Sequence, residues 1–327
     1  MQQKINFRQK RDIGNIVNDT FLFLRENIKP LLRAIFFISG PFILLGGIAF
    51  GLYFLFIIKT PTIESTPDIL IRRMSIQFIL MYLLLIAGSM VFFVTIYTYI
   101  HIYINDGDVS LGEIWKGVKK RLFLAFKVFL GSVFLIALTF SIISGLFFLV
   151  ALLGGLMGFF IGGGIMAVIL GFLSSLLTMA PFFYVAVTLS ILMSVCVFEQ
   201  KGFWSGVGRA FSLISGRWWR TFGIVLAMSF ICIGISMVFS LPMYVTLGIG
   251  KAFSNDGAEQ APAVFQIVTT VFSVLFMVGS YVVSSILLIG INFHYFSLVE
   301  EKDASGLLER IDSFGTVSAE SRNAEEY

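Results

Sequence analysis

Charge is scarce in this chain, and the long hydrophobic stretches hold almost none of it. Asp, Glu, Lys and Arg make up 13% of the 327 residues, about half the share of an ordinary water-soluble domain. Cysteine is nearly absent: Cys196 and Cys232 stand alone, in no Cys-x-x-Cys or Cys/His spacing. That gives neither a disulfide scaffold nor a zinc pattern, and both thiols read as buried structural residues. Histidine also occurs twice, at His101 and His294. No Ser/His/Asp order, phosphate-cradling glycine loop or pair of carboxylates is present, so no catalytic residue, cofactor or metal ligand is assigned. Ionisable groups within hydrocarbon would mark proton relays or ion paths. Their scarcity argues against a proton-coupled pump or an ion channel, but not against a lipid transporter. The first thirty residues also lack an early apolar core followed by a small-residue cleavage site. The first apolar run is therefore expected to act as an uncleaved insertion signal.

Apolar residues fill the space that charge vacates. They form 57% of the chain, 37 of them Phe, and the mean hydropathy is +0.94. A helix needs about 20 predominantly apolar residues to cross a bilayer core. Six stretches meet that length, at roughly 31–58, 74–104, 122–152, 165–198, 221–247 and 263–298. The runs are continuous rather than alternating, which argues against a transmembrane barrel. The expected fold is all-α, a polytopic integral membrane bundle of about six transmembrane helices covering 1–298. An acidic tail follows at 299–327, carrying one short helix around Leu307, Leu308 and Ile311 and then disorder.

Basic residues sort by side. Of the 23 Lys and Arg residues, 19 fall in the N-terminal segment, the second and fourth connections and the tail. The other side holds only Lys59, Arg72, Arg73 and Lys251. By the positive-inside rule both termini are cytoplasmic. Trp115, Trp204, Trp218 and Trp219 all lie in the cytoplasmic connections, where indoles favour the headgroup layer. The basic residues serve topology, so nucleic acid is not an expected partner; membrane lipids are, and other membrane proteins can be. The outer connections are too short to hold a domain.

The cytoplasmic segments show helical periodicity. An interfacial helix is expected at 10–29, with Ile13, Val17, Phe21, Leu24 and Ile28 on one face. Leu111, Ile114, Trp115, Val118 and Leu122 make a second stripe, begun by a capping box of Ser110 and Glu113. Phe203, Val207, Phe211 and Ile214 make a third, and each reads as a helix lying in the interface. The run IWKGVKKRL (Ile114–Leu122) aligns with FWSGVGRAF (Phe203–Phe211), and NIVNDTF (Asn15–Phe21) fits the frame through Val17 and Phe21. Three copies of one unit follow: interfacial helix, span, outer connection and returning span. Such copies would be parallel repeats about the membrane normal.

A few side chains invite a chemical role. His101 and His294, near the cytoplasmic ends of returning spans, could bind a metal or lipid phosphate. Two imidazoles without a third ligand make a poor metal site, however. Asn105, Asp106 and Asp108 read as a turn between helices rather than a calcium loop. Gly154, Gly158 and Gly162 read as an apolar turn, with close helix packing as the alternative. Arg217, Trp218, Trp219 and Arg220 form the cluster RWWR, an interface anchor that could also hold anionic headgroups, as could Trp115 and Trp204. Pro41, Pro181 and Pro242 fall within or at the ends of spans, where proline can kink a helix.

Three stretches, DIGNIVNDTF (Asp12–Phe21), ISGRWWRTF (Ile214–Phe222) and YFSLVEEKDASGLLERID (Tyr295–Asp312), resemble a group of Bacteroidetes inner-membrane proteins. That group is similar to the membrane domain attached to some glycerophosphoryl diester phosphodiesterases. The resemblance implies a bacterial inner-membrane location and a six-helix fold of three related hairpins. It implies no activity, because the phosphodiesterase's catalytic barrel is absent. The expected role is a non-enzymatic structural or partner subunit in envelope or lipid homeostasis. A lipid or small-molecule transporter is the alternative, and a membrane enzyme acting on lipid comes third.

Overall fold

A computed structural model describes residues 5–59, 67–105, 109–161, 172, 179–255 and 263–304. Side chains within these stretches are described except at 56–59, 67–75, 150, 151, 153–161, 247, 250–255 and 263. Every regular element among the described residues is helical. In chain order they are α1 (Ile13–Ala34), a π-helical turn (Ile35–Ser39), α2 (Gly40–Lys59), α3 (Pro67–Asn105) and α4 (Leu111–Ile161). A helical stretch at 179–189 precedes α5 (Leu192–Phe198), α6 (Phe203–Ile214), α7 (Trp218–Asn255) and α8 (Ala263–Asp303).

Six segments are long and apolar enough to cross a membrane: Ile13–Leu55, Ile76–Asn105, Leu111–Leu149, Met179–Phe198, Trp218–Thr246 and Val264–Asp303. The protein is a polytopic all-helical membrane protein. The helices are longer than crossing requires. At 1.5 Å per residue the 41 residues of α8 extend about 60 Å, twice the hydrocarbon thickness.

Two of the segments expected as interfacial helices are continuous with longer helices. The second connection is no separate element, since Leu111–Leu122 is the opening of a single 51-residue helix, α4. Its start carries the Ser110 half of the expected capping box, the Glu113 N–H donating to Ser110 Oγ at 3.3 Å. The N-terminal helix begins at Ile13, not residue 10, and continues into α2 through the π turn. Only the fourth connection contains a discrete helix, α6. Gly216, at φ +77°, lies in the turn that ends it, a left-handed conformation that glycine adopts without a Cβ clash. Helix also continues through Gly154, Gly155 and Gly158 to Ile161, so the third span does not give way to a turn at 152. Gly162, like Asp106, Asp108 and most of 165–178, lies outside the described residues.

The chain divides into two compact units, and passes between them inside α4, α7 and α8. The first comprises Met1–Leu122 and Ile224–Ser297. Its core is built by α1, α3 and α8, with Ile16, Phe23, Leu31, Ile96, Tyr99, Ile100, Ile289 and Phe293 almost fully buried. Small residues let α2 lie close to α8: a Cβ added at Gly47 would come 3.1 Å from the Val274 Cα, and one at Gly51 3.1 Å from the Thr270 Cα. Hydroxyls join helices where no water can, as in Ser39 to Thr95 at 3.2 Å and Ser89 to Tyr281 at 2.9 Å.

The second unit comprises Phe123–Gly223 and Leu298–Tyr327. Here α6 buries Gly206, Ala210, Leu213 and Ile214, while Phe203, Val207 and Phe211 of the expected stripe are half-buried. The reason is contact with α5. A Cβ at Gly206 would sit 2.7 Å from the Cys196 Sγ, so the small residue sets how closely the two helices approach. Cys196 is buried and Cys232, in α7, half-buried; both are free thiols.

Candidate functional site

Three polar or open features stand out, each inside one unit. The first is a plug made by residues 5–12. The Phe7 ring stacks on Phe293, 4.2 Å between centroids and 6° from parallel, and meets Phe23, Tyr103 and Phe296 edge-on. Behind it lies Arg11, only 2% exposed. Its guanidinium donates to Asp19 Oδ2 at 2.7 Å and to the carbonyls of Phe7 at 2.8 Å, Gln9 at 3.3 Å and Asn6. It also sits 4.8 Å from the Phe293 ring centre. Burial pulls the Arg11 pKa below its usual value, and the hydrogen bond and charge of Asp19 push the other way. Asp12 then caps α1, accepting from the Asn15 N–H at 2.7 Å. The sequence alone did not single out Phe7 or Arg11. The only local cue was an arginine placed directly before a helix-capping aspartate.

The second feature is a charge clasp in the second unit. Glu301 accepts from Arg217 Nε at 3.2 Å and from Arg220 Nη1 at 2.7 Å. Arg209 holds both carboxylate oxygens of Glu199 at 3.1 Å and also bonds Asp303. Lys201 reaches Glu199 at 2.7 Å, and Lys302 donates to the Ser212 carbonyl and hydroxyl at 2.6 Å. Partial burial lowers the Arg209 pKa, but the bonds to Asp303 and Glu199 outweigh it and carry it above its usual value. Trp218 stacks between Tyr184 and Phe222, with centroids at 5.9 and 5.2 Å. Trp219 is 78% exposed. The two arginines of RWWR are thus bound to the start of the chain's own acidic tail, while Trp219 remains at the surface. A cue was present: the arginines and Glu300–Asp303 were assigned to one membrane face with opposite charge.

The third feature is an open apolar groove in the first unit, lined by Phe37, Ile38, Pro41, Phe42, Leu111, Gly112 and Trp115, about 430 Å³ in volume. The π turn forms one wall. Its Gly40 N–H returns to the Ile35 carbonyl five residues back, and Pro41 follows with no N–H to offer a regular helix. The first turn of α4 forms the other wall. Lys119 Nζ stands 4.9 Å over the Trp115 ring.

The remaining candidates are dispersed. Trp204 is exposed beside the Phe203 ring, 5.0 Å between centroids. His101 is half-buried, with Nδ1 3.2 Å from Asn105 Nδ2. His294 is buried in α8 at 1% exposure. Among the described residues no three His, Cys, Asp or Glu side chains gather as metal ligands would. No family model, curated protein or solved structure matches the chain.

Proposed function

We propose that this is a non-enzymatic, multi-pass protein of a bacterial inner membrane, with both termini cytoplasmic, acting as a partner subunit in envelope or lipid homeostasis. One observation carries the reading. In the most apolar window of Leu111–Leu149 only 6% of residues are buried, and in Trp218–Thr246 only 11%, against 39–50% in the other four spans. Helices in lipid are held together by close packing and interhelical hydrogen bonds, not by escape from water. A span so little buried turns most of its most apolar stretch outward, where another membrane protein has room to pack. On α4 that surface is dense in phenylalanine, including Phe123, Phe126, Phe134, Phe140 and Phe148. The resemblance of Asp12–Phe21 and Ile214–Phe222 to the phosphodiesterase-associated membrane domain fits a supporting role.

A photo-crosslinking amino acid in place of Phe134, activated in native membranes, tests the reading. A discrete protein adduct is expected. Lipid adducts alone would overturn the partner role and leave the transporter alternative. That alternative draws on helix irregularities, namely the π turn at Ile35–Ser39 and Pro242 within α7, of the kind transporters place beside cavities.

A further inference from the structure

We propose that the groove between the π turn and the first turn of α4 seats one acyl chain of an anionic phospholipid, with Lys116 and Lys119 meeting its phosphate. The proposal deepens the membrane reading above and rests on the cytoplasmic placement of Lys119. The trough has the chemistry of an acyl chain, being lined by Phe37, Ile38, Pro41, Phe42 and Leu111 with no charged side chain, and its volume is about 430 Å³. That lies within the range of small-molecule pockets. It is open at the protein surface, where Phe37 is 72% exposed.

Charge complementarity selects the headgroup. Lys119 caps the groove through the Trp115 ring at 4.9 Å. Lys116, four residues beyond the lining Gly112, is exposed on the same side of the helix. Neither lysine makes an ion pair among the described residues. The cations of the RWWR cluster, by contrast, are already bound to Glu301. Two cations without an ion pair among the described residues thus lie beside the groove, and an indole between cation and hydrocarbon marks the headgroup depth. A phosphodiester on an acyl chain satisfies both halves of the site at once.

Gly112 offers a clean test, because a Cβ there meets nothing within 4 Å. Gly112→Phe fills the trough from an exposed helix start, leaving the packed core untouched. The full chain, reconstituted in nanodiscs of mixed phosphatidylglycerol and phosphatidylcholine, is extracted and its retained lipids are counted by native mass spectrometry. Preferential retention of phosphatidylglycerol is expected, abolished by Gly112→Phe and reduced about fivefold by each of Lys116→Gln and Lys119→Gln. Gly112→Phe protein that melts like the parent yet keeps its phosphatidylglycerol would overturn the proposal. So would equal retention of both lipids, or a protein rather than lipid adduct from a photo-crosslinker at Phe37. If these fail while the Phe134 adduct persists, the groove alone falls. If Lys119→Cys is labelled from outside the cell, the membrane orientation beneath both falls.

Discussion

Arg11 is the residue with most at stake, because its guanidinium is almost wholly removed from water. A buried charge is tolerated only when its desolvation is offset by a counter-ion and a full set of hydrogen bonds. Asp19 and three backbone carbonyls supply them. Arg11→Ala strands Asp19 beside the aromatic cluster, and a loss of about 3 kcal/mol is expected, read as a lower melting temperature in detergent. Arg11→Lys should recover only part of it, since an ammonium cannot fork to several acceptors. An unchanged melting point in both variants would refute the role given to the plug. At Glu301 the stakes are smaller, because the carboxylate is partly exposed. Glu301→Gln is expected to weaken the clasp by about 1 kcal/mol. Faster trypsin cleavage after Arg217 and Arg220 would report it; an unaltered digestion rate would show that the pairs hold nothing. Neither exact pairing was legible in the sequence, because shared sign and side do not say which charges meet, even for Arg11 and Asp19 eight residues apart.

Helix α1 shows what periodicity reveals and what it hides. The sequence offers an apolar stripe of Ile13, Val17, Phe21, Leu24 and Ile28. The fold buries a different face, Ile16, Thr20, Phe23, Asn27 and Leu31, and leaves Ile13, Phe21 and Ile28 at least 40% exposed. The choice was ambiguous because in a membrane protein the apolar face can point to lipid, while the protein interior accepts Thr and Asn that find partners. Asn27 does so, bonding the Phe23 carbonyl at 3.0 Å and the Tyr99 hydroxyl at 3.2 Å. The two faces are separable by mutation. Phe23→Ala should cost about 3 kcal/mol or more through the cavity it opens, while Phe21→Ala should cost less than about 1 kcal/mol. Comparable melting shifts for the two would reverse the assignment of faces. Between α5 and α6 the contact depends on absent atoms. Gly206→Ala should destabilise by about 1–3 kcal/mol, and adding Cys196→Ala should return part of that loss by removing the sulfur it strikes. A double variant no better than the single one would deny the contact. The alignment of Gly117 with Gly206 gains a physical meaning here, since a Cβ at Gly117 would likewise come 2.5 Å from the Thr98 Cγ2.

Across the whole molecule, orientation is the property most open to direct measurement. With both termini inside, a reporter enzyme active only outside the cytoplasm should be silent when fused after Tyr327 and active when placed between α7 and α8. The reverse pattern would invert the protein. Six membrane-crossing segments and an all-helical fold followed from sequence alone, because hydrocarbon forces each span to satisfy its own backbone and so to be one long apolar helix. The Ser110 cap was legible for the same reason, being set by residues three positions apart. Tertiary structure decided the rest: which face of α1 is buried, how α4 absorbs its interfacial segment, and which cations are already taken. Those outcomes depend on what lies opposite each side chain, as Glu301 lies opposite Arg217 and Arg220, and a one-dimensional pattern carries no record of opposition.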